Sequence, residues 1–131
     1  MSIEQITPKL VVEGADKAIH YYREVFDAVL RRRDEAGGRV VFAELGLPGG
    51  ASFQLKDADE IDKDPLRLGG RGLLLTVAAD DPDRLAERMA AGGGEIVFEV
   101  ADQSYGMRQG RVRDPFGHEW IVGRPIPSEA G

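Results

Sequence analysis

The sequence predicts an α+β protein in which two similar βαβββ modules pair to form a curved mixed sheet around a cup. Each half of the chain begins with a short apolar strand followed by an amphipathic helix, and further alternating strands follow each helix. Neither half could bury its sheet face alone, and pairing the two halves solves that problem. At 131 residues the chain is long enough for one domain with a substantial hydrophobic core.

The boundaries of the two halves follow from local composition. The first half covers about residues 1–56 and the second about residues 72–124. Residues 57–71 are rich in Asp, Lys and Gly and are predicted to link the halves, and residues 125–131, with two prolines, are predicted to form a loose tail. The chain is therefore interpreted as a single domain, residues 1–131, built from two repeats.

In the first half, a predicted strand at residues 9–12 precedes a helix. The helix is predicted from apolar residues that recur at spacings of three and four and so share one face, namely Ile19, Tyr22, Phe26 and Val29. A hairpin follows, with strands at residues 40–45 and 52–55 around a Pro-Gly-Gly turn.

In the second half, a predicted strand at residues 73–77 precedes another helix. Asp81 is its predicted N-cap and Pro82 its first residue, and the glycines at 92–94 end it. Three strands are then predicted, at residues 95–100, 110–113 and 120–122.

Alternation along these strands predicts two faces. One set of residues should pack against the helices: Leu10, Val12, Phe53, Leu55, Leu73, Leu75, Val77, Trp120 and Val122. The set that alternates with it should line the cup: Thr7, Lys9, Gln54, Gly72, Leu74, Thr76 and Ile121.

Charge and composition exclude several classes of function. The formal net charge of -6 argues against nucleic acid or an anionic membrane as a partner. The absence of cysteine excludes disulfides and thiolate chemistry and agrees with a cytoplasmic location. The N-terminus has no secretion-signal pattern, and no apolar run approaches the roughly 20 residues that span a bilayer. We therefore expect a cytoplasmic protein.

Three segments carry a family resemblance: residues 7–12 (TPKLVV), 18–22 (AIHYY) and 114–120 (DPFGHEW). They resemble the vicinal oxygen chelate superfamily, which contains glyoxalases, bleomycin resistance proteins and dioxygenases, and within it the PhnB-like branch. The resemblance covers nearly the whole chain, and the last motif is fairly specific because it follows the second repeat at the expected place. It implies the same paired βαβββ fold.

Enzymes of that superfamily bind a divalent metal with His and Glu from the first strand and a late strand of each half. The matching positions in this chain are Thr7, Gln54, Gly72 and Ile121. A zinc, nickel or iron site needs imidazole, thiolate or carboxylate donors, and none of these four residues supplies one. Phe42 also stands where the PhnB-like branch often has a His. We therefore expect no metal and no cofactor.

The other candidates for catalysis have structural interpretations. His20 is expected on the solvated side of the first helix, and the His118 imidazole is expected to bond a backbone group in its turn. Lys9, in the cup, could act as a base only if strongly desolvated, and it is more simply a partner for Glu44 or Glu119. No catalytic residue is assigned.

The superfamily also contains metal-free binders, the bleomycin resistance proteins, which are dimers that sequester an antibiotic. By this resemblance we expect a metal-free homodimer that sequesters a planar or amphiphilic organic ligand, an antibiotic being one candidate. Aromatic and Met side chains suit a flat ligand, and a few charged groups would orient it. The candidate ligand-binding residues are Lys9, Phe42, Glu44, Gln54, Tyr105, Met107, Arg108, Arg111, Glu119 and Ile121.

Several alternatives stay open at this point. Residues 105–108 are expected in an ordered loop, with or without a ligand contact, and the mixed charges of the cup leave the sign of the ligand undecided. The main alternative function is a glyoxalase- or epimerase-like metal-dependent enzyme, a lyase or isomerase, whose metal ligands lie elsewhere. A scaffold with a vestigial cup and no specific ligand is a third possibility.

Overall fold

Two four-stranded mixed sheets form the frame of the protein in the computed structural model, which describes residues 1–127. The chain separates into two compact units, Met1–Gly69 and Gly70–Gly131, and each unit contains one sheet. Each sheet is built from a βαβββ module, so the predicted α+β class and the two repeats are confirmed.

The first unit has one main helix and four strands. Its elements are β1 (Lys9–Val12), α1 (Ala15–Phe26), β2 (Val29–Ala36), β3 (Arg39–Gly46), β4 (Ser52–Asp57) and the short α2 (Pro65–Leu68). The strand order is β1-β4-β3-β2. β1 pairs parallel with β4, and the other neighbours pair antiparallel.

The second unit repeats this arrangement. Its elements are β5 (Leu74–Ala78), α3 (Pro82–Ala91), β6 (Glu95–Asp102), β7 (Met107–Arg113) and β8 (Glu119–Pro125). The strand order is β5-β8-β7-β6, again with a parallel first pair, β5 with β8. The parallel pair is possible because a helix makes the crossover that a tight turn cannot make.

The core of the first unit lies between α1 and one face of its sheet. Tyr22 is fully buried, and its ring lies 5.4 Å from Phe26 and 5.2 Å from Phe53 on β4. Leu10 and Leu55 are buried on the same side. The helix ends at Phe26 because Asp27 adopts a left-handed conformation with φ 54°. Aromatic packing and a local turn therefore define this half of the fold.

The predicted helical position of Val29 is wrong. After the turn at Asp27 the chain enters β2, where Val29 is the first residue and is 63% exposed. The spacing of Val29 matches the apolar stripe of α1, but spacing cannot reveal that the helix has already ended.

The core of the second unit is organised by two aspartates. Asp81 caps α3 as predicted, because its side chain accepts a hydrogen bond from the Arg84 amide at 3.1 Å, and Pro82 begins the helix. Asp114 is buried in the turn before β8, where it accepts bonds from two backbone amides and from the Trp120 indole at 2.8 Å. The Asp-Pro-Phe-Gly turn is therefore fixed to the core.

The predicted faces hold for most residues. The buried members of the set predicted to face the helices are Leu10, Val12, Phe53, Leu55, Trp120 and Val122. Leu75 and Val77 pair with Trp120 and Val122 and are half-buried. The exception is Leu73, which is 57% exposed, because β5 begins one residue later and Leu73 is outside the pleat.

Several segments are more ordered than predicted. Met107 and Arg108 belong to β7 instead of a loop, because they pair with the last residues of β8. β8 reaches Pro125, and the Ile126 amide donates a hydrogen bond to the Gly106 carbonyl at 2.9 Å, so the start of the predicted tail is ordered. Residues 128–131 of that tail lie outside the described residues.

The predicted linker contains regular structure of its own. Asp57 completes β4, and its carboxylate accepts hydrogen bonds from the amides of Ala15 at 2.7 Å and Val40 at 2.8 Å. Pro65–Leu68 forms the short α2. Asp57 therefore ties the start of α1 and the start of β3 to the end of β4.

The described helices are short. α1, the longest of them, has 12 residues, and within residues 1–127 no helix combines the length and the hydrophobicity that a bilayer crossing requires.

Candidate ligand-binding faces

Each sheet has one side that its helix does not cover. We call the uncovered side of the first unit's sheet the first face and that of the second unit's sheet the second face. Paired residues on adjacent strands point to the same side, so the strand register defines each face. The predicted cup residues that lie within strands fall on these two faces.

The first face is crossed by a row of polar residues. The register pairs Lys9 with Gln54, Gln54 with Glu44, and Glu44 with Arg32. Phe42 lies two residues before Glu44 on β3 and therefore points to the same side. Four of the predicted ligand-binding residues, Lys9, Phe42, Glu44 and Gln54, are thus brought together.

Phe42 is the aromatic centre of the first face. Its ring is half-buried, with the Lys9 ammonium 5.3 Å and the Arg32 guanidinium 5.6 Å from its centroid. Both distances are in the range of cation–π attraction. A ligand that stacks on Phe42 would therefore also meet these two cations.

The predicted partnership of Lys9 with a carboxylate is not what the structure shows. The Lys9 ammonium lies over Phe42, and Glu44 instead forms an ion pair with Arg31 at 3.7 Å. A register shift in β2 between Leu30 and Arg32 lets Arg31 reach this side of the sheet. Its guanidinium occupies the space that a side chain at Gly46 would fill.

The second face is crossed by two rows of paired residues. One row contains Leu74, Glu119, Arg113 and Glu95. The next row contains Thr76, Ile121, Arg111 and Phe98. Charged and apolar residues are therefore adjacent on this surface.

Glu119 is the charged centre of the second face. Only 5% of it is exposed, and its two oxygens accept hydrogen bonds from two arginines. Arg71 binds both oxygens, with Nη2 to Oε1 and Nε to Oε2 each at 3.1 Å, and Arg113 binds Oε2 at 3.3 Å. The Arg71 hydrogen bond lowers the pKa of the Glu119 carboxyl below its usual value, and Arg113 acts in the same direction against burial. Glu119 is therefore held as a carboxylate.

Arg111 is the third cation near Glu119. Its Nη1 atom is 3.6 Å from Oε1 of Glu119, and its guanidinium lies 5.5 Å from the centroid of Phe98. The first distance is that of an ion pair without a hydrogen bond. Among the described residues, nothing accepts a hydrogen bond from this guanidinium. Arg111 therefore lies between Phe98 and Glu119 without a hydrogen bond to either, which leaves its N–H donors available.

Apolar side chains flank this cluster. Leu74 is 40% exposed and Phe98 is 61% exposed, while Ile121 is half-buried between the strands of Thr76 and Arg111. The second face therefore offers an apolar surface directly beside a group of guanidinium donors.

The remaining predicted site residues lie around the start of β7. Arg108 pairs with Asp102 on the helix side, and its guanidinium binds Asp83 on α3 at 2.6 and 2.8 Å. This contact lowers the pKa of Asp83. Tyr105 lies in the turn before β7, and its hydroxyl accepts a hydrogen bond from Gln109 at 2.6 Å. By alternation Met107 points to the side of Arg111, opposite to Arg108.

Six contributors to the two faces were not predicted, namely Arg31, Arg32, Arg71, Glu95, Phe98 and Arg113. Arg113 could have been found, because it is two residues from Arg111 in an alternating strand. Phe98 could not have been found in the same way, because a register shift in β6 between Ile96 and Phe98 turns it to the side opposite to the one that alternation gives. Arg71 is 48 positions from Glu119 in a predicted linker, and Arg32 is in a strand that the sequence did not reveal, so neither carried a local signal.

The residues present do not fit the metal site that the superfamily resemblance implies. Gly72 and Ile121 have no donor atom in their side chains, and the Thr7 hydroxyl already accepts a hydrogen bond from Gln5 at 2.6 Å. The carboxylates beside these positions, Glu44 next to Gln54 and Glu119 near Ile121, are paired with arginines. Within residues 1–127, no group of three or more His, Cys, Asp or Glu residues is placed to hold a metal ion.

Comparison with known proteins identifies the family. The model of the Glyoxalase/Bleomycin resistance protein/Dioxygenase superfamily matches residues 2–122. An uncharacterized protein of Mycobacterium bovis is 33% identical over 126 residues, which cover 92% of this chain and 83% of that protein.

Solved structures support the same assignment. TioX from Micromonospora sp. ML1 is 27% identical with a TM-score of 0.73, covering 95% of this chain and all of that one. A glyoxalase family protein from Bacillus cereus is 20% identical with a TM-score of 0.76, covering 97% of each chain, which shows a shared fold. This chain therefore belongs to the Glyoxalase/Bleomycin resistance protein/Dioxygenase superfamily.

Proposed function

We propose that this protein binds an amphiphilic organic small molecule on its second face, without using a metal ion. One observation carries the proposal: the nearly buried Glu119 and its three arginines lie beside the exposed apolar residues Leu74 and Phe98. Burying charges is unfavourable unless they are paired, and large exposed apolar side chains gain from being covered. A ligand that is apolar in one part and polar in another would contact both.

The two parts of the face have separate roles in this proposal. Leu74, Ile121 and Phe98 provide apolar contact area, and the guanidinium groups fix the orientation of the bound molecule. This combination of a mainly apolar lining with a few placed polar groups is typical of small-molecule sites. The protein would then act by sequestration, as the bleomycin resistance proteins of its superfamily do.

Three finer assignments are part of the same proposal. We propose that an antibiotic is among the candidate ligands, that the chain forms a two-fold homodimer, and that it belongs to the PhnB-like branch. The first two follow from the binder class and the third from the motif at residues 114–120.

A ligand screen by thermal shift tests the proposed function. Polycyclic and glycopeptide antibiotics would be screened with a chelator and, separately, with added zinc or nickel. A ligand at about 100 times its Kd should stabilise the protein by about 2.7 kcal/mol. We expect at least one amphiphilic compound to raise the melting temperature equally in both conditions.

Two variants locate the binding. Thr76→Lys places a charge among the apolar residues of the second face and should abolish the shift, whereas Val41→Lys places the same charge on an exposed strand residue of the first unit and should not. Compounds that bind only with added metal would support the metal-dependent lyase or isomerase instead. A complete absence of shifts would contradict binding.

A further inference from the structure

The charges on the second face do not balance. The register and the side-chain contacts assign it three cations and two anions among the described residues. β6 contributes Glu95, β7 contributes Arg111 and Arg113, β8 contributes Glu119, and the segment before β5 contributes Arg71. β5 contributes no charge to it. This local excess of positive charge contrasts with the chain's formal net charge of -6.

The pairing shows which cation is in excess. Arg71 occupies both oxygens of Glu119, and Arg113 is shared between Glu119 at 3.3 Å and Glu95 at 3.2 Å. These four groups neutralise one another. Arg111 is left at 3.6 Å from an oxygen that already has a partner. Arg111 is therefore the cation without a carboxylate of its own on this face.

The position of Arg111 suits the capture of an anion. Its side chain is 24% exposed, and its guanidinium lies over the Phe98 ring, 5.5 Å from the centroid. A guanidinium presents several N–H donors in a fixed plane and binds planar or tetrahedral oxyanions through paired hydrogen bonds. Since the group already contacts Phe98 and Glu119, less side-chain entropy should be lost when an anion binds.

We propose that the ligand of the second face is an organic anion, with its anionic oxygens on Arg111 and its apolar part on Leu74, Ile121 and Phe98. The inference rests on the proposed function and names its ligand class. Glu119 is a positioning residue here, because it accepts hydrogen bonds from Arg71 and Arg113 and holds Arg111 only at ion-pair distance. A cationic ligand would meet the excess positive charge of this face and is disfavoured.

Two fluorescent probes that differ in one group test this inference. 8-Anilinonaphthalene-1-sulfonate carries a sulfonate, and N-phenyl-1-naphthylamine is the same ring system without it. Both would be titrated into the full chain and followed by emission. We expect the anionic probe to bind about ten-fold more tightly or better, as for hydrogen bonds to a charged group.

The variants then ask whether Arg111 is responsible. Arg111→Gln should weaken the anionic probe about ten-fold or more and leave the neutral probe nearly unchanged. Arg124→Gln removes the same charge from β8, where the guanidinium instead donates to the Asp80 carbonyl, and should affect neither probe. Arg111→Lys should keep part of the preference, because the charge remains without the paired donors.

Each contrary result has a distinct meaning. Equal binding of both probes to the unaltered protein would overturn the anion inference and leave small-molecule binding intact. An equal loss of affinity for both probes in Arg111→Gln would also overturn the anion inference, since Arg111 would then act only by maintaining the structure of the second face. If neither probe bound, the proposed function itself would be contradicted, and the inference would fall with it.

Discussion

The first and second faces are built by the same βαβββ module but differ in how they hold charge. On the first face the ion pair of Glu44 is largely exposed: the side chains of Arg31 and Glu44 are 49% and 32% accessible. On the second face the side chain of Glu119 is 6% accessible and has three arginine partners. Exposed pairs contribute little to stability, whereas a nearly buried carboxylate depends on its partners.

The apolar content of the two faces differs in the same sense. The row through Gln54 is polar across all four strands, with Lys9, Glu44 and Arg32. On the second face the row through Glu119 is also mostly charged, but the next row, through Ile121, contains Thr76 and Phe98 and only one charge, Arg111. A repeated backbone therefore decides where side chains point, and the residues placed there decide which face is suited to bind an apolar molecule.

The largest expected effect tests the assignment of Phe42 to the first face. Phe26→Ala removes a ring packed on Tyr22 and Phe53 and should lower the free energy of unfolding by about 3–5 kcal/mol. Phe42→Ala removes a half-buried ring and should cost roughly 2 kcal/mol or less. Urea denaturation of both variants measures the contrast. An equal loss would mean that Phe42 is a core residue and that the first face is wrongly placed.

The second prediction compares Glu119 on the second face with Glu44 on the first face. Glu119→Gln leaves Arg71 and Arg113 without their charged acceptor in a nearly buried position, so the free energy of unfolding should fall by about 1–3 kcal/mol. Glu44→Gln removes an exposed pair and should change it by roughly 0.5 kcal/mol or less. Urea denaturation again measures both variants. A larger loss of stability in Glu44→Gln than in Glu119→Gln would contradict the stated difference between the two faces.

A smaller effect should depend on pH. The pKa of Glu119 is lower in the folded chain than its usual value of about 4.3. Its contribution is therefore fully present above that value and is lost as the pH falls towards the folded-state pKa. The stability difference between the unaltered protein and Glu119→Gln should shrink as the pH is lowered from 6. Glu44→Gln, measured in parallel, corrects for the change in net charge. A stability difference that stays constant with pH would refute the lowered pKa of Glu119.

The smallest expected effect is that of metal removal on stability. Neither face offers a set of His or carboxylate donors at Thr7, Gln54, Gly72 and Ile121. We expect elemental analysis of the purified protein to find well under one equivalent of zinc, nickel or iron, and chelator to leave the melting temperature unchanged. A stoichiometric metal that survives chelation would show that one face holds a site by other ligands.

Sequence patterns were sufficient wherever the determining residues are close along the chain. Asp81 and Pro82 begin α3, the Asp114 turn precedes β8, and alternation in β1, β4 and β8 separates the buried Leu55 and Trp120 from the faces. These features depend on capping, turn geometry and the two-residue period of a strand, which are properties of a few neighbouring residues.

The tertiary structure alone decided the features that depend on distant partners. β2 (Val29–Ala36) is mostly charged and exposed and becomes a strand because β3 supplies its hydrogen bonds. Arg71 reaches Glu119 across 48 positions, and that contact leaves Arg111 without a carboxylate of its own among the described residues. A sequence contains each charge of the second face, but which charges are matched depends on the distances between them in the folded chain.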